Sequence, residues 1–204
     1  MPKASFKHFS FPKSVDQSLA DLKVKPASYW ESKGRQKVLE LFNFVYKTTP
    51  AYQRFLKSRH IDVRRIKTLE DFKTLPIINK ENYLRKSNFI DLLPFRDISK
   101  AKTISSTSGS TGEPFYFPRG EDEDAQYEYV AEIFLKNQFE IDKKTTLGII
   151  GFGLGIWIGG IFTYKNFAKI SEKGHNLALA PVGNNIETYL DVIKKFGHLF
   201  DQII

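Results

Sequence analysis

Between Ser105 and Pro118 the chain reads SSTSGSTGEPFYFP, and six of the first seven residues carry hydroxyls: Ser105, Ser106, Thr107, Ser108, Ser110 and Thr111. Two glycines, Gly109 and Gly112, punctuate the run. Hydroxyls donate hydrogen bonds to phosphate oxygens without bringing a charge of their own. Glycines let the backbone come close to a ligand and turn its N–H groups inward, as in an anion nest. The chemistry of such a loop is polyphosphate binding. The other reading of the same composition is a flexible Ser/Gly linker. Pro114 stiffens the exit, and strand-like runs stand on both sides, which weighs against a linker. A Walker loop is absent: it needs G-x-x-x-x-G-K-S/T, whereas Gly109 and Gly112 are separated by two residues and Glu113 follows. A second Gly-rich stretch, GFGLGIWIGG from Gly151, begins G-x-G but misses the third glycine of the dinucleotide fingerprint. Thiolate chemistry is excluded because the chain has no cysteine. Its 4 histidines are scattered without ligand spacing, so no metal site is expected.

These loops need elements to hold them. Residues 1–34 are weakly periodic and read as an irregular arm with short helical pieces. From Arg35, Val38, Leu41, Phe42 and Val45 recur at helical spacing, and Pro50 ends the run. Thr68–Lys86 reads as a short helix, an extended LPII and a further helix capped by Asn79. After Lys100 the texture changes. AKTISS and FYFP read as the two strands of a hairpin around the hydroxyl loop. An amphipathic helix follows on Tyr127, Val130, Ala131, Phe134 and Leu135. TLGIIGF is apolar throughout, as buried parallel strands are. A Gly-rich turn near Gly153–Gly155 leads to a helix from about Ile156 to Lys173, then to the strand NLALAPV. Asn184 with Glu187 resembles a capping box opening a helix with Ile186, Tyr189, Leu190, Ile193 and Phe196 on one face. HLFDQII begins another strand. The expected fold is α/β: a mainly helical region over 1–100, then a hairpin loop and a β-α-β-α-β parallel sheet over 101–204. The chain reaches Ile204 in a strand delivered by a crossover, so the reading expects the front part of a longer protein.

A length of 204 residues can bury a core, and 41% hydrophobic content argues against disorder. The net charge of +8 brings nucleic acid into consideration, yet 31 basic residues are interleaved with 23 acids. The densest basic run, Arg59–Lys67, reads either as a solvated face or as a nucleic-acid or membrane-surface patch; neither nucleic acid nor a membrane span is expected among the partners. Residues 145–164 hold no charge over 20 positions and even show GxxxG spacing at Gly151, Gly155 and Gly159. Six glycines, at about 1 kcal/mol each in a helix, favour a strand, turn and helix instead. The first residues lack an apolar signal segment, and a cytoplasmic location is expected.

The segment Ser106–Pro114 resembles the Ser/Thr/Gly phosphate loop of adenylate-forming enzymes, roughly S/T-S-G-S/T-T-G-x-P, matched at Thr107, Ser108, Gly109, Ser110, Thr111, Gly112 and Pro114. More specifically, TLEDFKTLPIINKENYLRK, GFGLGIWIGG and ALAPVGNNIETYLDVIKKF resemble, in order, segments of the phenylacetate–coenzyme A ligase family. The resemblance runs from about Leu39 to Ile204. It implies an AMP-forming carboxylate–CoA ligase: a carboxylic acid is activated by ATP and magnesium as acyl-AMP, then transferred to coenzyme A. Thr107 to Gly112 would hold the nucleotide phosphates, and Phe152, Leu154 and Trp157 would line the acyl pocket; packing in the core is their other reading. A homodimer is left open. Departures stand beside the resemblance. The family's adenine, ribose and magnesium motifs and its lid lysine are not in this chain. Phe115 stands where many adenylate-forming enzymes have lysine, and the cysteines by which some members bind zinc are lacking. The 204-residue piece is therefore expected to be inactive alone. The alternative is a non-catalytic phosphate-binding or basic interaction module.

Overall fold

The computed structural model describes residues 14–107 and 113–204, which divide into two compact units: one from Lys23 to Ser99, the other from Lys100 to Ile204 joined by the residues up to Leu22. The structure is mixed, with helices and two small sheets.

The first unit is helical. Helix α1, Val15–Val24, belongs up to Leu22 to the second unit, and α2, Ala27–Thr48, to the first. The expected arm carries short helical pieces, of which α1 is one; the helix start expected at Arg35 is corrected to Ala27, and residues 1–13 lie outside the described residues. Most of α2 before Arg35 is exposed, so no apolar stripe marks it in the sequence. Pro50 does not merely end α2; with φ already set for a helix it opens α3, Pro50–Lys57, at the first position. The core gathers Phe42, Tyr52, Phe55, Leu56, Ile66 and Tyr83. Phe55 and Tyr83 meet edge to face at 5.2 Å, a geometry worth about 0.5–1.5 kcal/mol beyond burial. Helix α4, Leu69–Lys73, is opened by a capping box between Thr68 and Asp71, and Asn79 caps the turn Lys80–Leu84. Buried Asp91 takes Arg96 Nε at 2.6 Å and Arg54 Nη2 at 2.5 Å. The hydrogen bonds from Arg96, then Arg54, hold its carboxyl below the usual carboxylate range.

In the second unit β1 (Thr103–Ser106) and β2 (Tyr116–Arg119) pair antiparallel, with Ser105 opposite Phe117. Helix α5, Glu121–Phe139, follows, then β3 (Thr146–Ile149), α6 (Thr163–Glu172), β4 (Leu177–Ala180), α7 (Ile186–Phe196) and β5 (Gln202–Ile203). The three later strands are parallel in the order β4-β3-β5. β3 is the central strand, and its successive residues Thr146, Leu147 and Gly148 are all buried, without the alternation of a half-exposed strand. Ala131, Leu135, Ile141, Ile170 and Leu177 form the core between α5, α6 and this sheet.

Three sequence expectations shift here. Ala131 and Leu135 are buried as expected, whereas Val130 and Phe134 are exposed and the acids Asp124 and Glu132 are buried instead. The cap of α7 is Asn185, whose side chain accepts from Thr188 N, not Asn184. Regular helix begins only at Thr163, because Ile158–Phe162 forms a wider turn after the Gly-rich stretch. Residues 145–164 therefore divide among β3, that turn and α6. No helix among the described residues is long and apolar enough to cross a membrane.

Candidate functional site

The hydroxyl loop is held at its neck by β1 and β2. Thr107 N donates to Phe115 O at 3.0 Å, and Phe115 N donates back to Thr107 Oγ1 at 3.0 Å, so this hydroxyl has an acceptor role in closing the loop. Ser108, Gly109, Ser110, Thr111 and Gly112 lie outside the described residues. Ser105 and Ser106 are buried, although a hydroxyl-rich run suggests exposure. Their burial has partners. Ser105 Oγ accepts from Arg119 Nε at 2.9 Å, and Ser106 N donates to Ile156 O at 3.0 Å.

That last bond joins the two glycine-rich segments. Ser106 and Trp157 form an isolated parallel bridge, so the strand entering the hydroxyl loop runs beside the segment carrying Phe152, Leu154 and Trp157. Arg119 adds a second tie, its guanidinium lying 4.9 Å from the Phe162 ring centre.

The glycine-rich segment follows β3 at its carboxyl end. Ile150 N donates to Ala180 O at 3.0 Å and Gly183 N to Ile150 O at 3.1 Å, which carries the β3–β4 ladder into the loops. Ligands of open α/β sheets bind beyond the carboxyl ends of the strands. Here the glycines bring backbone segments together. A Cβ at Gly160 would stand 2.3 Å from Gly153 O, and one at Gly159 would meet the Phe152 ring at 3.4 Å. Gly155 has φ +98° and makes the turn that a residue with a Cβ would resist. Phe152 is 57% exposed, Trp157 42% and Leu154 38%. All three are exposed in this structure. Ile156 and Ile158 are also exposed, so the segment presents an apolar face.

The groups assembled here are hydroxyls, backbone N–H groups, aromatic rings and one guanidinium. None is a nucleophile–base pair. Among the described residues no hydroxyl here is paired with a base, and such a set can bind and orient a ligand. Sequence reasoning missed Arg119 and Ile156. Arg119 directly follows FYFP and could have been flagged as a cation at the hairpin end; Ile156 acts through its carbonyl, for which the sequence carries no signal.

No family model matches the chain, and no curated protein matches its sequence. Solved structures do. One is 2-hydroxyisobutyryl-CoA ligase in the postadenylation state in complex with 2-HIB-AMP, with a TM-score of 0.63 and 16% identity over 93% of this chain and 40% of that one. The same ligase in complex with 2-HIB-AMP and CoA in the thioesterification state gives a TM-score of 0.65 at 16% identity, over 93% of this chain and 41% of that one. A third, in complex with R3-HIB-AMP, gives 0.62 at 16% identity, with 93% and 40% covered. The likeness is one of fold: this chain folds like part of an adenylate-forming CoA ligase. It spans about 40% of the length of the structures it matches.

Proposed function

We propose that this chain is the front part of an ATP-dependent ligase that activates a carboxylic acid as acyl-AMP and transfers it to coenzyme A, of the phenylacetate–CoA ligase-like kind. The observation that carries the reading is the Ser106–Ile156 hydrogen bond at 3.0 Å, which sets β1, the strand that enters the hydroxyl loop, beside an exposed aromatic segment at the carboxyl end of β3. A reaction that joins a carboxylate to a nucleotide phosphate needs those two binding functions side by side. The matched fold belongs to a ligase whose structures hold an acyl-AMP and CoA, which supports the same reading.

In this proposal Thr107, Ser108, Gly109, Ser110, Thr111 and Gly112 hold the β- and γ-phosphates of ATP and release pyrophosphate. ATP supplies the activated phosphorus that the acid's carboxylate attacks. Phe152, Leu154 and Trp157 receive the acid's apolar part, which suits an aryl or medium-length apolar acid. Magnesium accompanies the nucleotide; among the described residues no three His, Asp or Glu side chains converge as a metal site. Residues 1–100 form a helical region and 101–204 the incomplete nucleotide-binding region. The whole protein acts in the cytoplasm, as a monomer or a homodimer, and this chain alone is inactive.

Thr111→Val tests the loop in the whole protein. The change keeps shape and removes one hydroxyl. A hydrogen bond to a charged group is worth about 1.5–3 kcal/mol, so acid-dependent pyrophosphate release should fall about tenfold to a hundredfold. The melting curve should stay within about 0.5 kcal/mol of the parent. Unchanged release removes Thr111 from the phosphate site, and acid-dependent ATP turnover by residues 1–204 alone overturns the reading of this chain as an incomplete ligase.

A further inference from the structure

The densest basic run, Arg59–Lys67, plays no part in the reading above, yet in the first unit it borders a concave feature. An open cleft of about 750 Å³ is lined on its apolar part by Tyr46, Ile61 and Val63 and carries four basic side chains, Arg54, Lys57, His60 and Arg64. That volume lies in the range of small-molecule pockets, about 300–1,000 Å³. One carboxylate, Asp62, also lines it. Asp62 is engaged by Arg64, with Nε at 2.9 Å and Nη2 at 3.0 Å. Arg54 gives one nitrogen to Asp91, which it shares with Arg96, and a guanidinium has five N–H donors. The side chains of Lys57 and His60 have no hydrogen-bond or ion-pair partner among the described residues.

Cations in the last turn of a helix complement its dipole, which accounts for Arg54 and Lys57 at the end of α3. It does not account for Arg64, which comes from the separate turn Val63–Arg65, nor for the backbone of His60. Helix α3 ends with Ile61 N donating to Leu56 O at 3.2 Å and His60 N to Lys57 O at 3.0 Å, with His60 at φ 56°. This is a Schellman ending, and His60 occupies the left-handed position where glycine is the usual residue. An L-residue with a Cβ is strained there. A side chain retained at a strained position that also lines a cleft is grounds for a functional hypothesis.

The geometry points to a binding site for a small molecule bearing a phosphate or pyrophosphate group, held by Lys57, His60, Arg54 and Arg64, with its organic part against Tyr46, Ile61 and Val63. A concave site with one apolar wall takes a single small ligand. Nucleic acid is gripped instead by a basic stripe along a face.

Titration of the chain with sodium pyrophosphate, and separately with ADP, tests this by calorimetry and by backbone NMR. Saturable binding is expected, with the signals of Lys57, His60 and Arg64 shifting together. Lys57→Glu should weaken it by about tenfold or more, the loss of one charge-assisted contact. His60→Gly should also weaken it while raising the melting temperature, since glycine relieves the left-handed strain; weaker binding by a more stable variant is not a folding defect. The signals of Thr107 and Phe115, at the neck of the hydroxyl loop, report binding there; shifts confined to them, with Lys57, His60 and Arg64 unmoved, overturn the proposal. Absence of saturable binding to either anion, unchanged affinity in Lys57→Glu, or tighter association with DNA or anionic vesicles than with both small anions overturns the proposal.

Discussion

Gly160 shows how one missing Cβ shapes the candidate site. A methyl group there would be 2.3 Å from Gly153 O and 2.9 Å from Gly153 C, and both obstacles are backbone, which cannot rotate away. We expect Gly160→Ala to destabilise the chain by about 1–3 kcal/mol, the cost of forced overpacking, read as a lower urea midpoint. Gly34 is the control. It is exposed in α2 with nothing within 4 Å of a built Cβ, so Gly34→Ala should stabilise by about 0.5–1 kcal/mol through helix propensity alone. Equal effects at both glycines would sink the argument for a tight crossing. At this scale the sequence was legible where residue type decides: the GG doublet and the hydroxyl run were visible. The carbonyl of Ile156 was not, because any residue can supply one.

Among the elements, α5 departs most from its sequence pattern. Its apolar pattern took in Val130, Ala131, Phe134 and Leu135; the structure buries Ala131 and Leu135, leaves Val130 and Phe134 exposed and buries Glu132. The reason is a charge network. Glu132 Oε2 takes Lys173 Nζ at 2.6 Å and Oε1 lies 3.0 Å from His175 Nε2, while Lys173 also reaches Glu128 at 2.6 Å. Burial by itself raises the Glu132 carboxyl; the hydrogen bonds from Lys173 and His175 outweigh it and leave it below its ordinary value of 4.5. A depressed carboxylate stabilises the fold above its unfolded value and loses that contribution as pH falls through the folded one. Stability should therefore decline as pH drops below about 4.5. Glu132→Gln should be less stable than the parent at neutral pH and show a shallower acid decline, seen in melting temperatures from pH 7 to pH 3. Parallel declines in both proteins would show that Glu132 is not the group responsible.

For the molecule as a whole, α7 is the outlying surface. It has a strong apolar stripe and no buried residue: Ile186 is 74% exposed, Phe196 48% and Leu190 47%. Exposed apolar patches of this kind drive association. The chain should self-associate with rising concentration in sedimentation experiments and bind an apolar dye. Leu190→Glu should reduce both while shifting the denaturation midpoint by no more than about 0.5 kcal/mol, as expected for a surface change. A variant that associates as strongly as the parent would place the contact elsewhere.

The sequence by itself determined the local chemistry: hydroxyls and glycines at a hairpin loop, an uninterrupted apolar run for a central parallel strand, and a cap at Asn79. These follow from side-chain type and from patterns within a few residues. The tertiary structure decided what lies beside what. Ser106 and Ile156 are distant in sequence and joined by a backbone hydrogen bond of 3.0 Å. Phe152 and Trp157 are apolar yet exposed. The exposed first turns of α2 lacked an apolar stripe, so periodicity had nothing to register. Periodicity reports which residues a fold could bury, and only packing selects which it does. For that reason Ala131 and Leu135 went inward with Glu132, while Val130 and Phe134 stayed at the surface.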